Sequence, residues 1–355
     1  MMFKILYPRP IPEQQTQLVT SLTLSLCVVW LFVLEKNNAF HSGMEAFLMG
    51  MAVAVLPVIL YVPLALLVDR YEKEPRWMLG AAFLWGATFA VYLVMLLEPG
   101  NGPSQSLRGA RVEEVVKAIA LLMLFFWKAD EFDNTVDGII YATMIGLGFA
   151  MTENVHKYAD AFKNGTLDTM VMSRGILSPF SHPMFTAMTG LGLGWARETT
   201  KPVVKVLAPF GGLALAMGAH MAWNHFLNVW VMLPVFLLMI GVVLYEQGRE
   251  RKLIHAYLTP YVAAGDLTSA ELEMLCRFGG RMQELWMALK VGGWAGLRSQ
   301  ERFHQAASKL AFHQWRIERE GSRDPAADIA REKAYLRTIA ECRILPAAAG
   351  VVVAG

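Results

Sequence analysis

Hydrophobic residues along this chain are gathered into long runs that short polar segments separate. Each run approaches the roughly 20 residues that a helix needs to cross a bilayer. The runs cover about 18–34, 44–68, 77–97, 112–127, 136–155, 178–196, 203–224 and 226–245. This pattern predicts an all-α fold, a polytopic membrane bundle of about eight transmembrane helices. The last two runs are divided only by polar residues around Asn224, so seven spans are the alternative.

The pattern changes after residue 245, where half of the 32 Lys and Arg residues lie. We therefore predict a transmembrane domain at 1–245 and a mainly helical cytoplasmic tail at 246–355. In the tail, Thr268 and Glu271 have the spacing of a helix-capping box. The apolar residues that follow recur at helical spacing and predict a packing face: Leu272, Leu275, Phe278, Met282 and Leu285.

The Lys and Arg residues between the runs predict the orientation, because short cytoplasmic loops are enriched in them. With eight spans, the loops on the side of the N-terminus hold the larger share. They carry Arg70, Lys73, Arg76, Lys128, Arg197, Lys201 and Lys205. Both termini are therefore expected in the cytoplasm, for a multi-pass protein of the cell (inner) membrane.

Composition agrees with a membrane protein, since 55% of residues are hydrophobic and 17% are charged. A net charge of +2 gives no reason to expect nucleic acid as a partner. The cysteines Cys27, Cys276 and Cys342 are too far apart for a disulfide framework or a metal-ligand motif.

Several polar residues interrupt the apolar runs. A charge at the centre of a membrane helix costs roughly 2.5–3.5 kcal/mol, so intramembrane acids are candidates for function. The predicted topology places five groups at one depth near the extracytoplasmic face: Glu113 with Glu114, Lys117, Glu153 with Asn154, His182, and His220 with Asn224. We predict that they form a shared polar site in the bundle.

These residue types suit hydrolysis by an activated water. Of two neighbouring carboxylates, one can hold a proton while the other acts as a base. Glu113 or Glu114 would activate the water with help from His182, and His220 with Asn224 would stabilise the oxyanion. Lys117, Glu153 and Asn154 are supporting residues.

Two alternatives remain open at this point. Glutamate and histidine around an activated water would also suit zinc, although the chain has no His-Glu-x-x-His motif, and metal-free hydrolysis without a cofactor is the expectation. A non-catalytic transporter or sensor could use the same residues to relay protons or bind a ligand.

At these positions the chain resembles the PrsW family of intramembrane glutamic proteases, relatives of the CAAX prenyl proteases and bacteriocin-processing enzymes. The matching motifs are Asp69-Arg-Tyr-Glu-Lys-Glu-Pro75, Glu113-Glu-Val-Val-Lys117, Gly146-Leu-Gly-Phe-Ala-Met-Thr-Glu-Asn154, His182 and His220-Met-Ala-Trp-Asn224.

The resemblance implies a protease that cuts membrane-anchored substrates such as anti-sigma factors on the outer side, with Glu113 and Glu114 as catalytic acids. The segment Phe149-Ala-Met-Thr-Glu153 departs from the CAAX relatives, whose motif ends in histidine, and His182 is expected to fill that role. The tail has no counterpart in the resemblance.

Overall fold

A computed structural model describes residues 43–97, 105–129, 131–178, 180–226, 229–322 and 324–348. These residues contain no strand, which confirms the predicted all-α fold. The predicted span at 18–34 lies outside the described residues. Ten helices follow in order: α1 Met44–Val68, α2 Arg76–Leu97, α3 Gln105–Trp127, α4 Thr135–Lys163, α5 Ser181–Glu198, α6 Pro202–Phe226, α7 Val229–Ala263, α8 Ser269–Cys276, α9 Gly280–Glu320 and α10 Pro325–Ala348.

Four of the described helices, α1, α2, α4 and α6, are long and apolar enough to cross a membrane by length and composition. The chain is thus a helical membrane protein. The predicted count of eight spans stays a prediction. Two π-helical turns, Gly86–Ala90 inside α2 and Val171–Leu177 before α5, were not predicted from the sequence.

The helices form two compact units. The first comprises Glu74–Val243 and the residues up to Asp69, and the second comprises Arg70–Lys73 and the residues from Leu244. In the first unit α4 is the central helix, and it packs against α1, α2 and α5. A capping box starts α4, because the Asn134 side chain accepts from the Asp137 amide and the Asp137 carboxylate accepts from the Asn134 amide.

Glycines bring these helices together. A Cβ atom built on any of six of the glycines would collide with the backbone of a neighbouring helix: Gly146, Gly148, Gly190, Gly192, Gly194 and Gly212. Such backbone contact is typical of small residues at membrane helix interfaces. Gly211 and Gly218 differ from these six, since no described atom lies within 4 Å of a Cβ built at either residue.

The second unit has its own core, formed by residues of α7 to α10, among them Leu258, Leu275, Phe303 and Leu310. The predicted capping box of Thr268 and Glu271 is confirmed at the start of α8. The predicted packing face is only half right. Leu272 and Leu275 are buried, whereas Phe278 and Met282 are 76% and 56% exposed, because the chain turns at Gly279 and starts a new helix.

Candidate active site

Glu113 and Glu114 lie on α3, which begins at Gln105. The pair is therefore about two turns inside the helix, whereas the sequence placed it at the head of a span beginning at 112. Successive residues of a helix point about 100° apart, so the two carboxylates meet different neighbours. The Glu114 side chain is fully buried, and the Glu113 side chain is 17% exposed.

The Glu114 carboxylate is held by three other side chains. Its Oε1 lies 2.8 Å from Lys117 Nζ and 3.0 Å from His220 Nδ1. Its Oε2 accepts a hydrogen bond from Thr186 Oγ1 at 3.2 Å. Because these partners belong to α3, α5 and α6, Glu114 links the three helices and its charge is compensated where it lies.

The Glu113 carboxylate has weaker contacts with its neighbours than the Glu114 carboxylate. Its Oε2 lies 3.7 Å from Lys117 Nζ, 3.8 Å from His220 Nε2 and 3.9 Å from His182 Nδ1. Within the described ranges this atom is buried and accepts no hydrogen bond. Three nitrogen atoms thus lie around this oxygen atom from just beyond hydrogen-bonding distance.

His182 lies in the first turn of α5, directly against α4. A Cβ atom at Gly146 would come within 2.8 Å of the His182 carbonyl oxygen, so only glycine allows this approach. His182 Nε2 lies 2.8 Å from Glu153 Oε2, and its Nδ1 lies 3.2 Å from Lys117 Nζ. The ring therefore stands between Glu153 on one side and the Lys117 and Glu113 side chains on the other.

The π-helical turn Val171–Leu177 adds a residue that the sequence analysis missed. Arg174 donates hydrogen bonds to Glu153 Oε1 at 2.8 Å and to Asn154 Oδ1 at 2.7 Å. Its isolation in an otherwise uncharged segment, Val171–Leu177, is the signal that could have identified it.

His220 is buried on α6, with its ring stacked on the Phe185 ring at 4.9 Å. Asn224 is half-buried one turn further along the same helix. Six of the predicted site residues contact one another directly, and Arg174 connects Asn154 to this group. The six are Glu113, Glu114, Lys117, Glu153, His182 and His220. Helix position places Asn224 near His220, and its role in oxyanion stabilisation stays a prediction.

The cluster has the donors of a metal centre. One ligand atom each from Glu113, His182 and His220 lie within 4.8 Å of one another. The cluster holds three acidic side chains, Glu113, Glu114 and Glu153, and two basic ones, Lys117 and Arg174.

Comparison with known proteins agrees with the geometry. Residues 74–245 match the model of a family described as PrsW family intramembrane metalloprotease. This range includes every predicted site residue. No solved structure is significantly similar to the chain.

Curated relatives named Protease PrsW are similar over part of the chain. The protein of Geobacillus kaustophilus is 31% identical over 141 residues, which are 38% of this chain and 60% of the relative. Those of Clostridioides difficile and Oceanobacillus iheyensis are 30% and 31% identical over 39% of this chain, covering 61% and 66% of their own lengths. The chain spans less than two thirds of each of these relatives. Through residues 74–245, the chain is similar to the PrsW family.

Proposed function

We propose that the protein is an intramembrane endopeptidase that hydrolyses peptide bonds of membrane-anchored proteins at the cluster around Glu113. The observation that carries this proposal is the Glu113 Oε2 atom. It is buried, it accepts no hydrogen bond from the described residues, and imidazole nitrogens of two histidines lie 3.8 and 3.9 Å away. The similarity of residues 74–245 to the PrsW family supports the same activity.

The side chains in this cluster fit a divalent cation. Catalytic zinc sites use three nitrogen or oxygen ligands and keep one position open, and Glu113, His182 and His220 offer such a set. Metal-binding histidines usually have a carboxylate or carbonyl at their second ring nitrogen. Here Glu114 lies at Nδ1 of His220 and Glu153 at Nε2 of His182. Glu113, His182 and His220 would hold the ion, which when bound lowers the pKa of water and polarises a carbonyl.

The remaining residues orient this set. Glu114 fixes the ring of His220 with Nε2 toward Glu113, and Thr186 and Lys117 hold Glu114 in turn. Glu153 orients His182, and Arg174 holds Glu153. The Glu113 side chain keeps 17% exposure, whereas Glu114, Lys117, His182 and His220 are buried around it.

A metal-free form of the same hydrolysis is the second candidate, and it is the one that the sequence favoured. The position of Lys117 supports it, because Nζ lies 3.2 Å from His182 Nδ1 and 3.7 Å from Glu113 Oε2. An ammonium group there already provides a positive charge and would repel a divalent cation at close range. In this form Glu113 accepts the proton of the attacking water, with His182 beside it as a hydrogen-bonding partner.

The test uses the full chain reconstituted in nanodiscs together with membrane-anchored proteins extracted from bacterial membranes. New N-termini are identified by mass spectrometry. We expect cleavage by the wild type, about 10³-fold less by Glu113→Gln, and unchanged cleavage by Asp160→Asn, an exposed acid on α4. Full activity of Glu113→Gln would refute the proposed centre. A chelator separates the two mechanisms: loss that zinc restores indicates the metal form, and insensitivity indicates the metal-free form.

A further inference from the structure

Several large apolar side chains are exposed in the first half of α9 and in the short turn before it. Those that are more than half exposed are Phe278, Met282, Trp286, Met287, Val291 and Trp294. Trp294 reaches 71%. Contiguous apolar surface of this kind marks a binding face in a folded protein. We call residues 277–298 the tryptophan segment.

This surface is not a poorly packed part of the core. The opposite side of the same helix is anchored, because Arg281 is buried and donates hydrogen bonds to Ser308 Oγ at 2.7 Å and to the Leu275 carbonyl at 3.2 Å. At Gly293, where φ is 57°, the helix is interrupted and the chain folds back, so that Gly296 lies against Ala288 and His304 lies beside Glu284. The returning part of α9 buries Phe303 and Leu310 in the core of the second unit. The apolar face of the tryptophan segment is therefore additional to the one that folds the unit.

The charges of the segment select the partner. Its exposed basic residues are Arg277, Lys290 and Arg298, against the single acid Glu284. Glu284 is turned inward, where His304 Nε2 lies 3.0 Å from its carboxylate. Lys290 lies on the exposed side, with Nζ 3.3 Å from the centre of the Trp286 ring. The outer face is consequently apolar, aromatic and positively charged.

We propose that the tryptophan segment, which reverses direction at Gly293, binds the surface of an anionic membrane through its exposed aromatic and apolar side chains. Helices of this type carry Trp or Phe on the apolar face and Lys or Arg beside it, and they enter the boundary between headgroups and acyl chains. Trp and Tyr are enriched at this depth in membrane proteins. The segment belongs to a chain that is itself a membrane protein, so a bilayer is always within its reach at high effective concentration.

A second copy of the chain fits this face less well. Two such segments would bring like positive charges together, which opposes association. Anionic headgroups instead attract each basic residue near the surface. The occupant we commit to is therefore lipid.

Photocrosslinking tests this proposal in the full chain. p-Benzoylphenylalanine replaces Trp286 or Trp294, one at a time, and Arg337 as a matched control, since Arg337 is exposed on the polar helix α10 with 82% of its side chain accessible. The variants are reconstituted in vesicles of equimolar phosphatidylcholine and phosphatidylglycerol and irradiated. We expect covalent lipid adducts at 286 and 294 and none at 337.

A second variant tests the contribution of charge. Lys290→Glu should reduce the adduct yield at 294 by at least about five-fold in the anionic vesicles and change it little in vesicles of phosphatidylcholine alone. Crosslinks to a second copy or to another part of the same chain would overturn the proposal. Equal lipid adducts at 286, 294 and 337, or none at 286 and 294, would overturn it as well.

Discussion

Each unit of the protein buries a histidine beside a glutamate, and the two arrangements differ in one respect. In the second unit His304 is 3% exposed and its Nε2 lies 3.0 Å from Glu284 Oε2, which also accepts a hydrogen bond from Gln300. In the first unit His220 is 2% exposed, yet the Oε2 atom of neighbouring Glu113 accepts no hydrogen bond from the described residues. The two histidines are thus equally buried. The difference is that Glu113 Oε2 has no hydrogen-bond donor among the described residues.

This difference distinguishes the structural pair of His304 and Glu284 from the cluster around Glu113, which can bind a further group. A buried polar atom without a partner costs free energy, so its presence calls for an explanation such as a catalytic role or a bound water or ion. The pair in the second unit is complete by itself. The cluster in the first unit is complete only with water, a cation or a substrate beside Glu113.

The largest expected effect contrasts the two histidines directly. His220→Asn should lower kcat/KM for a single-pass substrate by about 10³-fold, because it removes one of the nitrogens around Glu113. His304→Asn should leave kcat/KM unchanged, since its partner is satisfied within the second unit. Equal losses in both variants would show that the decrease reports on folding, and thermal unfolding of each variant is measured to separate the two causes.

Glu114→Gln should lower zinc affinity and kcat/KM by about 10- to 100-fold, as substitutions of groups that orient metal ligands do. It also leaves the fully buried Lys117 ammonium with a weakened partner, which costs about 3–5 kcal/mol of stability when a buried pair is broken. The double variant Glu114→Gln, Lys117→Met should regain stability but not activity. Zinc affinity by chelator competition and thermal unfolding are the measurements, and recovered activity in the double variant would contradict the assigned role.

Arg174→Ala should lower kcat about 10-fold and leave KM unchanged, because Arg174 acts on His182 only through Glu153. Arg174→Lys is the matched control, since it keeps the charge beside Glu153 but cannot donate to Glu153 and Asn154 in a fixed fork. We expect it to retain intermediate activity. A rise in KM with constant kcat would instead assign Arg174 to substrate binding.

The smallest effect concerns His304 and pH. Burial lowers the pKa of His304 below its ordinary value of 6.5, against the opposing effect of the Glu284 hydrogen bond. The unfolded chain therefore binds this proton more readily, so stability falls as the pH drops through 6.5 toward the lower folded pKa, and is unaffected above it. His304→Gln should flatten this dependence. Urea unfolding of the second unit, followed by a fluorophore at exposed position 337, measures it, and an unchanged slope would contradict the assignment.

The sequence predicted the features that follow from the spacing of apolar residues and from the free-energy cost of charges in membrane helices. Apolar runs located the helices, and α1 spans the predicted 44–68 as Met44–Val68. The expense of intramembrane charges selected Glu113, Glu114, Lys117, Glu153, His182 and His220, which the fold brings into contact. A polar residue in an apolar helix requires a polar partner, so the polar residues of different membrane helices tend to lie next to one another.

Other features could not be predicted, because they depend on how the turns between helices fold and on which helices they then contact. Periodicity says nothing of a π-helical turn, so the approach of Arg174 to Glu153 was missed. Helical spacing alone also predicted one packing face from Leu272 to Leu285. The turn at Gly279, with φ of 76°, divides that face and leaves Phe278 and Met282 exposed.

The contact of Gly146 with the start of α5 gives the catalytic cluster a weakness far from any charge. A Cβ atom at residue 146 would lie 2.7 Å from Pro183 Cα, so an alanine there would push the histidine-bearing turn away from α4. Random mutagenesis for loss of activity should therefore recover alleles at this glycine as well as at the acids and histidines. In a family alignment, such a position would appear as an invariant small residue with no chemistry of its own, although the spacing of the reacting groups depends on it.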